Sequence, residues 1–578
     1  MQNVFRLLAV NFLGDSPVWY KITILSFLIL NPILFFCLPD HVAGLDGIEH
    51  FGHFVAGWAV LIQFIFTLAC ALKCYPLQPG GLLAIEALVI GLTDPATIYK
   101  EVLVNAPTLL LLIFMVSAIY FIKDVLYIAI TKLFLAIRRK HILSLVFCMI
   151  CAGLSAFLDA ITLVAIAIAV CFNFYAIFHR VASESDSDDE LDEFRGFLRN
   201  LIIHGTVGTV IGGAMTEVGE PQNIMIGTKM GWDFMEFIVQ CGPVSVPAVI
   251  AGFIVCFSVE FFRCPGFRYQ MSEHVRGFIL KDYQKKMNEM TGQNFYVYTV
   301  QVFAFILLVF ALAFHIAEVG LIGIGLIVLV TSFTGLTKEH DIGGAFVNAM
   351  PFAVLIVVFF AILGVVHSQH LVTPLAEWVF RFEDPKAKLL ALYFTNGSLS
   401  FVSDNVFIAT VFITEVEAGF VNGIIAQMLS SVDFNVQNAC ANGNLHQAVA
   451  QYLGHESRMN LRVGPENDII THFIREVNAI YQSGIANNDL SAFNAYVAHC
   501  ADKPFISREE VERLAIVVNM GTNLPAMATP NGHAALLFLL TSALAPLLRL
   551  SYLKMVLLTL PYTIAVSLTG ALAIYFFV

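Results

Sequence analysis

The chain has 578 residues, 58% hydrophobic and only 13% charged, where an average soluble domain carries about 25% charged residues. With a mean hydropathy of +0.79, that composition excludes a water-soluble globular protein. The formal net charge of −12 argues against a nucleic-acid partner, and it is carried largely by loops such as the acidic run SESDSDDELDEF at 183–194.

In chain order, residues 1–21 lack the small-residue cleavage site of a signal peptide. They read as an amphipathic interfacial helix with Trp19 and Tyr20 at headgroup depth. Apolar runs of spanning length follow at 22–38, 54–72, 108–122, 295–314 and 554–578. A helix needs about 20 apolar residues to cross the hydrocarbon layer, and roughly a dozen spans are expected in all. The fold class is an all-α polytopic membrane protein. Eleven cysteines without a secretory leader do not make a disulfide framework, and CMIC at 148–151 lies inside an apolar helix as packing residues. The basic segments 137–141 and 262–287 place those loops in the cytoplasm.

Three landmarks occur twice. Gly91-Leu92-Thr93 matches Gly335-Leu336-Thr337, and Pro107 matches Pro351, at an offset of 244. Ser155 and Asp159 match Ser400 and Asp404 at 245; Gly212 and Glu220-Pro221-Gln222 match Gly521 and Thr529-Pro530-Asn531 at 309. The offset grows by 64 residues where the composition turns polar, so the second copy carries an insertion. The chain then divides into the interfacial helix (1–21), a first membrane repeat (22–261), a cytoplasmic linker (262–294) and a second repeat in two parts (295–417 and 513–578). A polar, extramembrane helical insertion (418–512) separates those parts. An odd number of crossings per repeat would invert one repeat against the other, and binding sites in such proteins form where the repeats meet near the bilayer midplane.

Each repeat has a polar knot in an apolar run: Ser155, Asp159 and Thr162 in the first, Ser400, Ser403, Asp404 and Asn405 in the second. Each also has a glycine- and proline-rich interruption. The first holds Gly212, Gly213, Gly219 and Pro221 with Glu220 and Asn223; the second holds Gly521, Pro525 and Pro530 with Thr522, Asn523, Thr529 and Asn531. Proline removes a backbone donor and glycine tolerates unwound geometry, so a helix broken at membrane depth is expected at both. A carboxylate at mid-membrane costs about 2.5–3.5 kcal/mol even on the lenient insertion scale. Asp159 and Asp404 bear that cost at matched positions, with no Lys or Arg in 142–178 or 389–420 to pair them locally. Carboxylate, hydroxyl, amide and freed carbonyl oxygens suit a hard monovalent cation. A buried carboxylate tuned toward neutral pH binds a proton or a metal ion in competition, which points to cation exchange. Glu86, Glu217 and Glu318 lie in or beside apolar runs as accessory candidates.

The segments NFLGDSPVWYK, KCYPLQPGGLLAIEA, SAFLDAITLVA, VGEPQNIMIG, SDNVFIAT and GTNLPAMATPNGHAALLFLL closely resemble the NhaB-type bacterial sodium/proton antiporters, within the superfamily that includes arsenite efflux pumps and sodium-coupled dicarboxylate carriers. The resemblance runs along most of the chain. It implies a multi-pass bacterial inner-membrane protein that expels Na+, and Li+, in exchange for H+, with no resident cofactor. It also implies two inverted repeats, each with a re-entrant helical hairpin and a broken transmembrane helix, in a homodimer with elevator-like movement. SAFLDA and SDN would then be hairpin tips, and GEPQN and TNLPAMATPNG the breaks. The polar segment 418–512 is longer than that pattern leads one to expect. A sodium-coupled dicarboxylate symporter, or another anion carrier of the superfamily, is the rival, but it places neutral Ser-Asn-Thr knots where this chain has Asp. The sequence carries no His-Glu-x-x-His, Gly-x-Gly-Asp or Gly-x-Ser-x-Gly signature of an enzyme.

Overall fold

The computed structural model describes residues 11–39, 50–70, 73–104, 106–158, 160–185, 188–314, 316–347, 350–369, 371, 378–379, 382, 384–401, 405–431, 434–455, 468–487, 489–501 and 507–578. Among these, every regular element is helical. That is the expected solution in lipid, where each backbone donor must be satisfied within its own segment. Six described helices are long and apolar enough to span a membrane. They are α1 (Val18–Cys37), α2 (Phe51–Ala69) and the helices Phe234–Phe261, Gly292–Ala313, Asn405–Ser430 and Tyr552–Phe577. Shorter apolar helices lie between them, among them α3 (Leu77–Ile90). Their outer faces are apolar, as with Ile22 and Ile29 on α1 and Leu557 and Leu572 near the C-terminus, while Asn200, His204, Asn396, Asn519 and Asn523 are buried. Apolar outside and polar inside is the arrangement lipid selects.

After α3 come α4 (Pro95–Val104), α5 (Lys140–Ser155), α6 (Ala160–Ser185), α7 (Asp188–Gly213), α8 (Pro221–Met230) and α9 (Phe234–Phe261). The linker holds α10 (Glu273–Asn288). The second half comprises α11 (Gly292–Ala313), α12 (Val319–Thr334), α13 (Met350–Ser368), α14 (Pro385–Ser400) and α15 (Asn405–Ser430). It continues with α16 (Asp468–Asn487), α17 (Ser491–Ala501), α18 (Arg508–Asn523), α19 (Ala534–Thr541) and α20 (Tyr552–Phe577).

The landmarks matched in sequence share local geometry. Gly91 and Gly335 cap α3 and α12 in the left-handed region, at φ 90° and 75°. The next amide closes the cap on the helix in both, Leu92 N–H to Ala87 O (2.9 Å) and Leu336 N–H to Thr331 O (3.0 Å). This is the helix-ending turn that glycine adopts without a Cβ clash. Likewise α5 and α14 end at the matched serines 155 and 400, and α6 and α15 begin at 160 and 405, again 245 residues apart. Packing follows the same plan: α5 lies on α7 and α9, as α14 lies on α18 and α20. The halves also exchange elements, α8 packing on α15 and α19 on α6, while α9 runs against α20.

Three expectations are adjusted. Residues 1–10 of the expected interfacial helix lie outside the described residues, and α1 begins at Val18. Tyr20 is fully buried and stacks on Phe66 (centroids 5.9 Å apart) rather than facing headgroups; its neighbour Trp19 is exposed. Helix α15 runs past 418 to Ser430, because GFVNGIIAQML continues its apolar pattern, and α18 begins at Arg508. Between them α16 and α17 pack on each other and on α15, with Ile470, Phe473, Ile474 and Val477 forming the buried stripe of α16.

Candidate ion-binding site

Each of the two glycine- and proline-rich segments lies between two helices. α7 stops at Gly213, and α8 starts at Pro221 behind an extended Glu220 (φ −141°, ψ 142°), the conformation proline imposes on its predecessor. α18 stops at Asn523; two 3-10 turns, Pro525–Ala528 and Pro530–Gly532, lead to an extended His533 (φ −141°, ψ 122°) that caps α19. In the first break Thr216 Oγ1 accepts from Gly219 N–H (3.3 Å) and donates to the Ala156 carbonyl (2.8 Å). In the second, Thr529 Oγ1 accepts from Gly532 N–H (3.1 Å) and donates to the Phe401 carbonyl (2.5 Å). Ala156 and Phe401 are the residues after the matched serines. Both glycines permit close backbone approach: a Cβ at Gly219 would fall 2.4 Å from Gly213 O, and one at Gly532 2.3 Å from Ser400 O.

These contacts correct the register read from sequence. Thr216 stands with Thr529, Gly219 with Gly532 and Glu220 with His533, an offset of 313 instead of 309. The counterpart of Glu220 is therefore His533, not Thr529. The second break is longer because its two prolines each open a turn of 3-10 helix, and identity across EPQN and TPNG does not register the extra residues.

The breaks meet directly. His533 Nδ1 accepts from Ala535 N–H (3.3 Å), and its Nε2 lies 3.1 Å from Glu220 Oε1 without hydrogen-bond geometry between the two, both side chains being buried. Beside this pair Gln222 donates to Asn523 Oδ1 (2.7 Å), and Asn523 Nδ2 reaches Asn223 Oδ1 (3.1 Å) and Asn519 Oδ1 (2.9 Å). Asn223 in turn donates to the freed carbonyls of Gly213 (2.8 Å) and Thr216 (2.7 Å), holding the first break in shape. Chains of buried amides of this kind are specific because every unpaired member is costly.

Of the expected site residues, Glu220, Asn223 and Asn523 come together at this crossing. Thr522 is buried but turned back on its own helix, donating to Val518 O (2.8 Å). Thr529 joins the second break to the end of α14. Ser155, Ser400 and Asn405 are buried, and their polar side-chain atoms have no hydrogen-bond partner among the described residues. Asp159, Ser403 and Asp404 lie outside the described residues, as do the side chains of Thr162 and Asn531. The flanks of the two aspartates adjoin the breaks: Ala160 N–H donates to Gly219 O (3.4 Å), and Phe401 O accepts from Thr529. Buried oxygens without partners, next to freed carbonyls, are the donor chemistry of a small monovalent cation.

Two of the three accessory acids are elsewhere. Glu86 accepts from Asn31 (2.7 Å), which also pairs with Gln63, in a cluster among α1, α2 and α3. Glu318 is exposed at the start of α12. Glu217 is buried in the first break, against Gly227 of α8. Sequence reasoning did not single out His533, Gln222, Asn519 or Asn396. The last lies one turn before Ser400 on α14, its amide buried without a partner among the described residues. Their signal was position, inside or one turn from the motifs already marked.

Helices interrupted around a buried polar crossing, inside an apolar outer surface, define a multi-pass membrane protein of the secondary-transporter class. The sequence model described as Bacterial Na+/H+ antiporter B (NhaB) matches residues 1–453 and 482–578. The chain is 44% identical over 577 residues to the Na+/H+ antiporter NhaB of Saccharophagus degradans, covering 97% of this chain and 96% of that one. It is 42% identical over 583 residues to the NhaB of Photobacterium profundum, covering 98% and 92%. With the NhaB of Teredinibacter turnerae it shares 41% over 584 residues, covering 98% and 97%. The chain belongs to the NhaB family of bacterial Na+/H+ antiporters, and it is a multi-pass protein of the inner membrane. The match continues through most of the polar segment and leaves out only 454–481.

Proposed function

We propose that this chain exchanges Na+ for H+ across the bacterial inner membrane by alternating access, with Li+ as a second cargo. Asp159 and Asp404 bind cation and proton in competition, assisted by Ser155, Thr162, Ser403 and Asn405 at the tips and by Glu220, Asn223, Thr522, Asn523, Thr529 and Asn531 at the breaks. The observation that carries this reading is the direct meeting of the two breaks through Glu220–His533 and Gln222–Asn523, in a chain of the antiporter family. Matched caps, matched helix ends and exchanged packing support two inverted repeats, with α5–α6 and α14–α15 as re-entrant hairpins. The protein works as a homodimer with elevator-like movement. Family membership speaks against the dicarboxylate-symporter alternative.

The test is a proton-flux assay in proteoliposomes with Na+, Li+, K+, arsenite and succinate. Na+ and Li+ are expected to drive proton movement; a response to succinate or arsenite alone overturns the reading. Asp159→Asn is expected to abolish Na+-driven proton flux in a folded protein. Asp404→Asn is expected to abolish it or to lower Na+ affinity strongly. Full exchange by either variant removes that aspartate from the site.

A further inference from the structure

Where α9 ends, the chain turns back through Phe262 and Arg263 toward α10, and the turn encloses a cavity of about 370 Å³ against the start of α5. This is within the ~300–1,000 Å³ range of small-molecule sites. Arg138, Arg139, Arg263 and Arg268 line it, all exposed and without an ion pair among the described residues. Its inner wall is the Lys140–Glu260 pair (2.7 Å). Glu260 is the only carboxylate in that lining, and it is committed, with its other oxygen 2.8 Å from buried His204 Nε2. Arg276, also at the wall, is spent on the carbonyls of Leu135 (3.2 Å) and Ile137 (3.1 Å). The nearby Glu193 accepts from the Gln270 backbone.

Two further features single out the place. Arg263 is left-handed (φ 50°), at the position after α9 where Cys264 N–H bonds back to Val259 O (3.0 Å). Glycine fills such a cap without strain, so an arginine is held there against a backbone cost that its side chain has to justify. Phe261 of the lining (55% exposed) packs with Phe257 (37%, ring centroids 5.4 Å apart) and Phe262 (73%, 5.3 Å), an exposed aromatic group at the end of a helix long and apolar enough to span a membrane.

We propose that this cavity holds the phosphodiester headgroup of an anionic phospholipid of the cytoplasmic leaflet, with the acyl chains along Phe257 and Phe261. Four unpaired guanidiniums match the phosphate, and arginine forks bind phosphate oxygens bidentately. The aromatic group matches the acyl chains and distinguishes a lipid from a free anion, and basic pockets between membrane helices take such headgroups.

The test is native mass spectrometry of the full chain released from nanodiscs of phosphatidylcholine containing phosphatidylglycerol or cardiolipin. One anionic lipid is expected to stay bound under conditions that strip phosphatidylcholine. The Arg139→Gln, Arg263→Gly and Arg268→Gln variants are each expected to weaken retention about fivefold, from the ~1 kcal/mol that a basic residue contributes toward anionic lipid. Arg263→Gly relieves the left-handed strain, so its thermal unfolding temperature is expected to hold or rise while lipid retention falls. Undiminished retention in the triple variant, or equal retention of phosphatidylcholine, overturns the proposal. Displacement of the lipid by inorganic phosphate irrespective of chain length assigns the cavity to a free anion and overturns it as well.

Discussion

The Glu220–His533 contact puts an acid and an imidazole 3.1 Å apart in a site closed to water. Truncating one partner of a buried pair typically costs about 3–5 kcal/mol, because the other is left uncompensated. His533→Ala is therefore expected to lower stability by that order, measured by thermal or denaturant unfolding in detergent. Glu220→Gln keeps the size and polarity of the side chain beside His533 and should fold, yet it removes a carboxyl group from the crossing. Na+-driven proton flux is expected to fall at least ~10-fold, the lower end of what a positioned acid–base group contributes; unchanged flux with an unchanged pH profile would make the pair purely architectural. Glu220 was legible in the sequence as an acid beside a proline. His533 was not, because its importance comes from a partner some 300 positions away and from a register that two 3-10 turns displace.

At the scale of elements, the repeated GLT turned out to be a helix stop. Gly91 and Gly335 adopt the left-handed region at the ends of α3 and α12, where an L-residue costs about 1–2 kcal/mol. Gly91→Ala and Gly335→Ala are each expected to destabilise the protein by that amount, read as a lower unfolding temperature, with no change in Na+ affinity. The helix ends at the matched serines were legible, since Ser155 and Ser400 close α5 and α14 at the spacing their identity suggested. The breaks were legible as interruptions, because proline and glycine act locally. The second was not legible as 3-10, since whether Pro525 and Pro530 start turns or extended chain is settled by what packs around them. The polar segment was visible as polar, but the apolar stripe of α16 that docks it on α15 was overlooked in a stretch judged by its average.

For the whole molecule, among the described residues the segment from α16 to α17 packs on α15. Replacing 436–501 by a flexible linker is expected to leave Na+/H+ exchange in proteoliposomes intact while lowering thermal stability; a folded but inactive deletion would place part of the segment in the transport cycle. The overall class was legible from composition alone, because a chain this apolar has only helices or a closed barrel open to it. The exchange of elements was not, because α8 on α15 and α19 on α6 are choices of tertiary packing with no sequence period. That exchange has a mechanical meaning. Two halves that have each packed a helix on the other are clasped, and parting them would break both sets of contacts. If the chain moves as proposed, the hinge is expected outside the clasp, between it and α2, α3 and α13. A thiol crosslinker joining Lys229→Cys to Glu417→Cys, which replace a salt bridge across the clasp (2.5 Å), should leave exchange running. A crosslink from α6 or α15 to α13 should stop it.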